Sequence, residues 1–224
     1  MNWKTAYRSF YYKAAPEPED LVLVPAETVL LCIDVQNYGL APKPTAEEQA
    51  RWAPFYDRMH GTVIPNLRAL QQTFRDHNMD VVHARIACLL DDGRDRSLSQ
   101  KMPGWNNLLM PTSTEESQII TELAPAADEI VVTKTTDSAL TGTNLRLILS
   151  NMGIRNVVVT GIYTDQCVSS TVRSLADESF NVVLIEDCCA AGTLELHQRE
   201  LEIINMIYCH VVSSAELFAI MGLD

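Results

Sequence analysis

From residue 28 onward, short apolar runs alternate with stretches in which apolar residues recur at helical spacing. The apolar runs are continuous, which is typical of strands that are covered on both faces. Strands that alternate with helices favour parallel pairing, because each helix carries the chain back across the sheet. We therefore predict an α/β fold in which helices cover both faces of a mostly parallel sheet. The pattern places strands at 29–33, 80–85, 129–133, 156–161, 182–186 and 211–212, and helices at 46–77, 140–152, 166–178, 195–208 and 215–221.

Two segments fall outside this pattern, and Pro54 and Pro65 mark points where the longest predicted helix can break. Residues 1–27 are rich in aromatic side chains and prolines. Because so many aromatics are costly to leave in water, we predict an N-terminal arm that lies over the domain or over a neighbouring subunit, followed by one domain at 28–224. Residues 87–123 have no clear period, and we predict that they form a lid or a subunit contact.

Composition and charge narrow the expected partners and location. Hydrophobic residues make up 47% of the chain and charged residues 21%, which is typical of a globular protein. The net charge of -12 disfavours nucleic acids and anionic membrane surfaces as partners. The six cysteines show no CxxC spacing, so we expect a reduced, cytoplasmic setting. The sequence has no signal-peptide core and no apolar run of membrane-spanning length.

Three chemically different side chains follow predicted strands. Asp34 follows the first strand, Lys134 follows the third, and Cys167 opens the helix after the strand at 156–161. Because open α/β sheets bind ligands at the carboxyl ends of their strands, these residues are candidates for one site. A helix N-terminus favours the thiolate of such a cysteine, and a nearby lysine favours it further. The alternatives are a cysteine that only packs and a structural ion pair.

Three sequence blocks carry these residues. In order and rough spacing they resemble the signature of the isochorismatase-like cysteine hydrolases, and the resemblance covers residues 26–222. It implies a three-layer αβα, Rossmann-like architecture with a six-stranded sheet, and a catalytic triad of Asp34, Lys134 and Cys167. The blocks are 34–37 (DVQN), Lys134 with 138–143 (SALTGT), and 161–168 (GIYTDQCV).

The resemblance also implies a mechanism. Cys167 attacks a carbonyl carbon, Asp34 relays the thiol proton to the leaving nitrogen, and Lys134 holds the carboxylate in place. A thioester forms, and water activated by Asp34 then releases the acid. The backbone amides of Tyr163 and Cys167 are the expected oxyanion hole, and relatives carry a cis peptide at the position of Ile162 and Tyr163.

The histidine pattern separates this chain from one branch of the resembling superfamily. Nicotinamidases bind a divalent metal through an aspartate and two histidines placed just after the second strand. Here no histidine lies between His83 and His197, so that ligand set cannot form locally. We predict neither a metal nor another cofactor, and we expect His83 to serve in the core or behind the site.

The presence of Cys167 bears on the reaction. Isochorismatases proper, which cleave a vinyl ether, commonly lack the nucleophilic cysteine. We therefore predict hydrolysis of the carbon–nitrogen bond of a small amide or ureide, as in N-carbamoylsarcosine amidohydrolase, biuret hydrolase and ureidoacrylate amidohydrolase. The alternatives are a vinyl-ether hydrolase and a non-catalytic binding relative.

Further residues are candidates for substrate contact, although packing or surface roles suit each of them equally. Arg85 ends the second strand and could bind a carboxylate or carbonyl group. Tyr38, Trp105 and Tyr163 could line the pocket. The candidates are Asn37, Tyr38, Arg85, Trp105 and Thr164.

Two more pairs of residues have expected structural roles. Gln36 and Asn37 are predicted to brace the loop behind Asp34 through hydrogen bonds from side chain to backbone. Gly142 and Thr143 are predicted to set a helix start. The resemblance also implies a homodimer or homotetramer.

Overall fold

The computed structural model describes residues 1–223, which include eight strands and seven α-helices. The strands are β1 (Thr28–Ile33), β2 (Asp80–Ile86), β3 (Lys101–Met102), β4 (Asn106–Asn107), β5 (Ile130–Lys134), β6 (Asn156–Ile162), β7 (Asn181–Ala190) and β8 (His210–Val212). The helices are α1 (Asn37–Leu40), α2 (Ala46–Arg58), α3 (Ile64–Asp76), α4 (Leu145–Asn151), α5 (Ser169–Asp177), α6 (Leu194–Ile204) and α7 (Ser214–Met221).

Six of the strands form one sheet in the order β5-β2-β1-β6-β7-β8, and every neighbouring pair is parallel. The predicted six-stranded sheet is confirmed, and it is parallel throughout. The chain builds outward from β1 to β5 on one side and then from β6 to β8 on the other. This reversal opens a crevice at the carboxyl ends of β1 and β6, where open α/β sheets bind ligands.

The position of β1 in the middle of the sheet explains why its sequence is apolar from Val29 to Ile33. All six of its residues are buried. Val29 and Leu31 pack in one core cluster with residues of α4, α5 and α6, whereas Leu30 and Cys32 pack in a second cluster with residues of α2, α3 and α7. Successive side chains of a strand point to opposite faces, so a strand between two helical layers needs apolar residues throughout. The predicted three-layer arrangement is confirmed.

The long predicted helix at 46–77 is interrupted at one of its two prolines. A π-helical turn at Met59–Val63 separates α2 from α3, and Pro65 lies in the first turn of α3. A proline donates no backbone N–H and crowds the preceding turn, so a widened turn accommodates it. Pro54 lies inside α2 without ending it.

The helix predicted at 140–152 begins only at Leu145. Gly142 adopts a left-handed φ of 76°, and the Thr143 hydroxyl accepts a hydrogen bond from the Leu145 amide at 3.1 Å. Both residues therefore set the helix start, as predicted, but the helix begins later along the chain. The segment before it forms a loop at the carboxyl edge of the sheet.

The two irregular segments pack differently. In the N-terminal arm, Trp3 is buried against His210, with ring centroids 5.5 Å apart, whereas Phe10 and Tyr11 are each 84% exposed. The segment at 87–123 contains the antiparallel ribbon of β3 and β4 and forms part of the cleft wall described below. Among residues 1–223, no helix combines the length and apolar character that crossing a membrane requires.

Candidate active site

Asp34 lies directly after β1, in the middle of the sheet. Its amide donates a hydrogen bond to the Ala84 carbonyl at 2.9 Å, and its φ of 55° is in the left-handed region. This conformation is uncommon for residues other than glycine, and such positions cluster at functional sites. Asp34 is 7% exposed and lines a cleft at the carboxyl edge of the sheet.

Lys134 ends β5, and its side chain is completely buried. Its Nζ lies 2.7 Å from Oδ2 of Asp34 and donates to Sγ of Cys167 at 3.3 Å and to the Thr136 carbonyl at 3.1 Å. A buried ammonium needs such partners, because it has lost its hydration. Lys134 therefore contacts both the acid and the thiol.

Cys167 follows β6 in a π-helical turn, Thr164–Val168, that leads into α5. The strand before it approaches β1 so closely that Gly161, with φ of 118°, lies beside Ile33. A Cβ at this position would stand 2.0 Å from the Ile33 carbonyl oxygen. Only glycine fits there, and the close approach brings the turn carrying Cys167 beside Asp34. The predicted acid, ammonium and thiol therefore lie together.

The electrostatics of the group favour a protonated thiol at Cys167. Burial raises the pKa of the Cys167 thiol well above its ordinary value, the Asp34 carboxylate raises it further, and Lys134 opposes both. Lys134 favours the thiolate, as expected, but desolvation of the buried sulfur outweighs this effect. The thiol rests in its neutral form and needs a base.

Asp34 has the properties of that base. Burial raises the pKa of its carboxyl group, although Lys134 opposes the rise. Burial disfavours the charge on Lys134, but Asp34 and then Cys167 outweigh it, so the pKa of this ammonium is raised. Among residues 1–223, Oδ1 of Asp34 is buried and accepts no hydrogen bond. The carboxylate is thus held by one oxygen and has the other available.

The turn between β6 and Cys167 contains the predicted cis peptide, between Ile162 and Tyr163. Tyr163 and Cys167 both line the cleft. Within the described part of the chain, the Tyr163 amide has no backbone acceptor. This amide has the free donor that an oxyanion hole requires.

Gln36 and Asn37 brace the loop after Asp34, as predicted. The buried Gln36 side chain donates to the carbonyls of Ile86 and Ser117, at 3.0 and 2.8 Å, and accepts from the Ile86 amide at 2.9 Å. Asn37 donates to the Glu115 carbonyl at 2.9 Å. These bonds fix the loop to β2 and to the segment at 87–123.

Of the predicted substrate contacts, Tyr38 lines the cleft and Arg85 does not. Arg85 donates to Oγ1 of Thr133 at 3.3 Å and to Oε1 of Gln118 at 2.8 Å. Its neighbour Ile86 does line the cleft, and because side chains alternate along a strand, Arg85 points to the other face. The expectation that Arg85 grips the substrate is corrected.

Three other predicted substrate contacts, Asn37, Trp105 and Thr164, do not line the cleft either. The Asn37 side chain is engaged with Glu115 outside the cleft. Trp105 is 77% exposed and lines an adjoining outer hollow, which shares Asn106 and Asp137 with the cleft. Thr164 is fully buried, and its hydroxyl lies 2.8 Å from Nδ1 of His197, so it holds the turn from behind.

The cleft also contains residues that were not predicted. Asp137 follows Lys134 on the loop before α4, and its Oδ1 lies 3.9 Å from Sγ of Cys167. A polar residue so close behind a strand-end lysine was the available signal. The hydrophobic periodicity of the sequence does not indicate the remaining residues of the cleft wall, which come mainly from the segment at 87–123. They include Gln100, Asn106, Leu108, Met110 and Gln166.

The histidines occupy structural positions. His83 is buried in β2, with Nε2 2.9 Å from Oε2 of Glu129, as expected of a core residue. His197 contacts Thr164 and, through Nε2 at 3.0 Å, Arg58. Among residues 1–223, no three His, Cys, Asp or Glu side chains are grouped as metal ligands.

A parallel α/β sheet with an acid, a lysine and a cysteine at the crevice where its strand order reverses is characteristic of a class of small-molecule hydrolases. Residues 28–216 match the isochorismatase domain, and the chain belongs to the isochorismatase family of hydrolases.

Relatives and solved structures agree with this assignment. The chain is 28% identical over 202 residues to the ureidoacrylate amidohydrolase RutB of Acinetobacter baylyi, covering 86% of this chain and 82% of the relative. A RutB of Pseudomonas syringae is 29% identical over 189 residues, covering 78% and 76% of the two chains. An isochorismatase family protein from Burkholderia thailandensis is 26% identical, with a TM-score of 0.73 and coverage of 91% and 100%. N-carbamoylsarcosine amidase from Thermoplasma acidophilum shares the fold at 22% identity, with a TM-score of 0.66 and coverage of 84% and 96%.

Proposed function

We propose that this chain is a cysteine-dependent amidohydrolase that cleaves the carbon–nitrogen bond of a small amide or ureide through a thioester intermediate. The observation that carries the proposal is the position of Lys134, whose Nζ lies 2.7 Å from the Asp34 carboxylate and 3.3 Å from the Cys167 sulfur. A nucleophile and a base in one cleft, with a fixed positive charge directly behind them, are the parts that amide hydrolysis requires.

In the first step, the thiol proton moves to Asp34 as the sulfur attacks the carbonyl carbon. The raised pKa of the buried Asp34 carboxyl group supports this role, because it brings the base closer to the neutral range. Lys134 attracts the developing thiolate and holds the carboxylate. The new bond joins sulfur to carbon, and the carbonyl electron pair moves onto oxygen.

The charge on that oxygen requires hydrogen-bond donors. The free Tyr163 amide, together with the Cys167 amide, is the proposed oxyanion hole. Asp34 then gives its proton to the nitrogen, the carbon–nitrogen bond breaks, and ammonia or an amine leaves. The carbonyl carbon remains bound to Cys167 as a thioester.

Water completes the reaction. Asp34 takes a proton from the water as its oxygen attacks the thioester carbon, and the carbon–sulfur bond then breaks. The proton returns to sulfur and the acid product leaves. The partly apolar wall of the cleft, which includes Ile86, Leu108 and Met110, limits the entry of other water.

The two RutB relatives are named as amidohydrolases, and this supports the amide or ureide reaction for the present chain at 28% and 29% identity. The presence of Cys167 in the cleft supports the same choice over vinyl-ether hydrolysis, which needs no nucleophilic sulfur.

The proposal is tested by measuring ammonia release from a panel of small amides, ureides and carbamoylated amino acids. We expect turnover by the wild-type chain and its loss in Cys167→Ala and in Asp34→Ala. Hydrolysis of isochorismate that survives in Cys167→Ala but not in Asp34→Ala would instead identify a vinyl-ether hydrolase. No turnover of any compound would favour a binding protein.

A further inference from the structure

The charge balance inside the cleft is unusual for a site that has to hold a small polar molecule. Two carboxylates line it, those of Asp34 and Asp137, and within the described residues no lysine, arginine or histidine does. Lys134 lies behind Asp34 and pairs with it. Asp137 therefore contributes a negative charge that no residue of the cleft wall neutralises.

Asp137 is placed to act on a bound molecule. Its Oδ1 accepts a hydrogen bond from Nε2 of Gln100 at 3.2 Å and lies 3.9 Å from the Cys167 sulfur. Among residues 1–223, Oδ2 of the same carboxylate has no hydrogen-bond or ion-pair partner. A group attached to the reacting carbonyl would lie within reach of that oxygen, because the sulfur itself is so close.

The nearby arginines do not compensate for this charge. Arg85 is bound to Thr133 and Gln118 on the other face of β2. Arg96 is held by the Gly93 and Gln100 carbonyls and by Asn107.

A third arginine lies farther out. Arg173 lines the outer hollow, which Asp137 shares with the cleft, but its guanidinium is paired with Glu200 at 2.9 Å. A carboxylate deep in the inner cleft would meet Asp137, while Lys134 is already paired with Asp34 and Arg173 with Glu200. Like charges so close disfavour binding strongly.

We propose that Asp137 makes this cleft selective for neutral or positively charged molecules rich in N–H donors, and against molecules that carry a carboxylate. The substrate class follows only if the proposed amidohydrolase function holds: within the panel above, neutral or cationic amides and ureides are then preferred over carbamoylated amino acids, which carry a carboxylate. The selectivity itself is a property of the cleft and can be measured without turnover.

The test compares two alkylating reagents that differ in one group, neutral iodoacetamide and anionic iodoacetate. In each reaction sulfur displaces iodide, the thiol proton goes to a base, and iodide leaves. Mass spectrometry of the Cys167 peptide gives the two rates at one pH. The ratio of the rates, amide over carboxylate, cancels any change in the nucleophilicity of the thiol.

We expect this ratio in the folded chain to exceed the ratio in the urea-unfolded chain about tenfold or more. Asp137→Asn, which keeps the shape of the side chain, is expected to lower the ratio about fivefold or more, and Asp137→Glu, which keeps the charge, to retain most of it. The matched control is Asp91→Asn, which removes an exposed acid of the segment at 87–123 and leaves the ratio unchanged.

A folded-chain ratio equal to that of the unfolded chain would overturn the proposal, and so would a ratio that Asp137→Asn leaves unchanged while Asp137→Glu behaves as wild type. The proposed function fails separately, by the absence of ammonia release. A chain that discriminates between the reagents but hydrolyses no amide would lose the enzyme assignment and keep the charge selectivity.

Discussion

Lys134 and Asp34 form an ion pair in which the ammonium nitrogen lies 2.7 Å from a carboxylate oxygen, with side chains 0% and 6% exposed. Burying two charges costs about as much free energy as their attraction supplies, so such a pair adds little net stability. Its effect on chemistry is larger. It fixes the carboxylate and places a positive charge 3.3 Å from the sulfur of Cys167.

Replacement of the lysine tests this relationship. Lys134→Met should lower kcat/KM for a hydrolysed amide by about a hundredfold or more, because the carboxylate loses its anchor. It should also lower the free energy of unfolding by about 3–5 kcal/mol, because an unpaired carboxylate stays buried. Urea unfolding measures the second effect. The double variant with Asp34→Asn should regain stability but no activity; a fully active Lys134→Met would contradict the account.

The pH dependence of catalysis reports on the base. Asp34 must be deprotonated to accept the thiol proton, so kcat/KM should rise as the pH rises through the pKa of Asp34. Because burial raises that pKa, the acid limb should lie at a higher pH than an ordinary aspartate would give. The profile of kcat/KM against pH measures it, with Asp91→Asn as the control. A value of kcat/KM that stays constant down to the pH range in which an exposed aspartate titrates would exclude Asp34 as the base.

A second, partly buried acid, Glu129, should govern stability in acid. Burial disfavours the charge on Glu129, but Arg75, the Ala126 amide and His83 outweigh it, and the pKa of Glu129 is lowered to about 2. A lowered pKa contributes stability above the unfolded value of 4.5, and this is lost as the pH falls toward about 2. Urea unfolding between these pH values should therefore show that the free energy of unfolding falls more steeply with decreasing pH in wild type than in Glu129→Gln. Equal slopes would contradict this.

The close approach of β1 and β6 is tested at a glycine. Gly161→Ala places a methyl group 2.0 Å from the Ile33 carbonyl oxygen at a φ of 118°. We expect the free energy of unfolding to fall by about 3 kcal/mol or more, with loss of activity as Asp34 and Cys167 separate. Gly61→Ala is the control, because a methyl group there meets nothing within 4 Å. Equal stability of the two variants would show that the contact is unimportant.

The sequence predicts the sheet well because buried parallel strands contain continuous apolar runs, such as 29–33 in β1 and 157–159 in β6. It also predicts Asp34, Lys134 and Cys167, since each stands where a strand ends and parallel strands bring their ends to one edge. Helix ends were less predictable. The start of α4 depends on the left-handed Gly142, which the apolar spacing of the helix does not encode.

The cleft wall was the least predictable part of the site. Arg85 was expected to contact substrate, but the strand continues to Ile86 and turns the arginine to the other face. Gln100 and Leu108 reach the cleft from an aperiodic segment, whose path is set by tertiary contacts such as the Gln36–Ser117 hydrogen bond. The protonation of Cys167 likewise depends on burial, which motif spacing does not specify.

The central claim is that the Cys167 sulfur bonds to the carbonyl carbon during turnover. Quenching the wild-type chain in acid during hydrolysis of an amide, followed by mass spectrometry, measures this directly. We expect a peptide containing Cys167 that is heavier by the acyl or carbamoyl group, and we expect no such modification in Cys167→Ser. Turnover that leaves this peptide unmodified and continues undiminished in Cys167→Ala would contradict it.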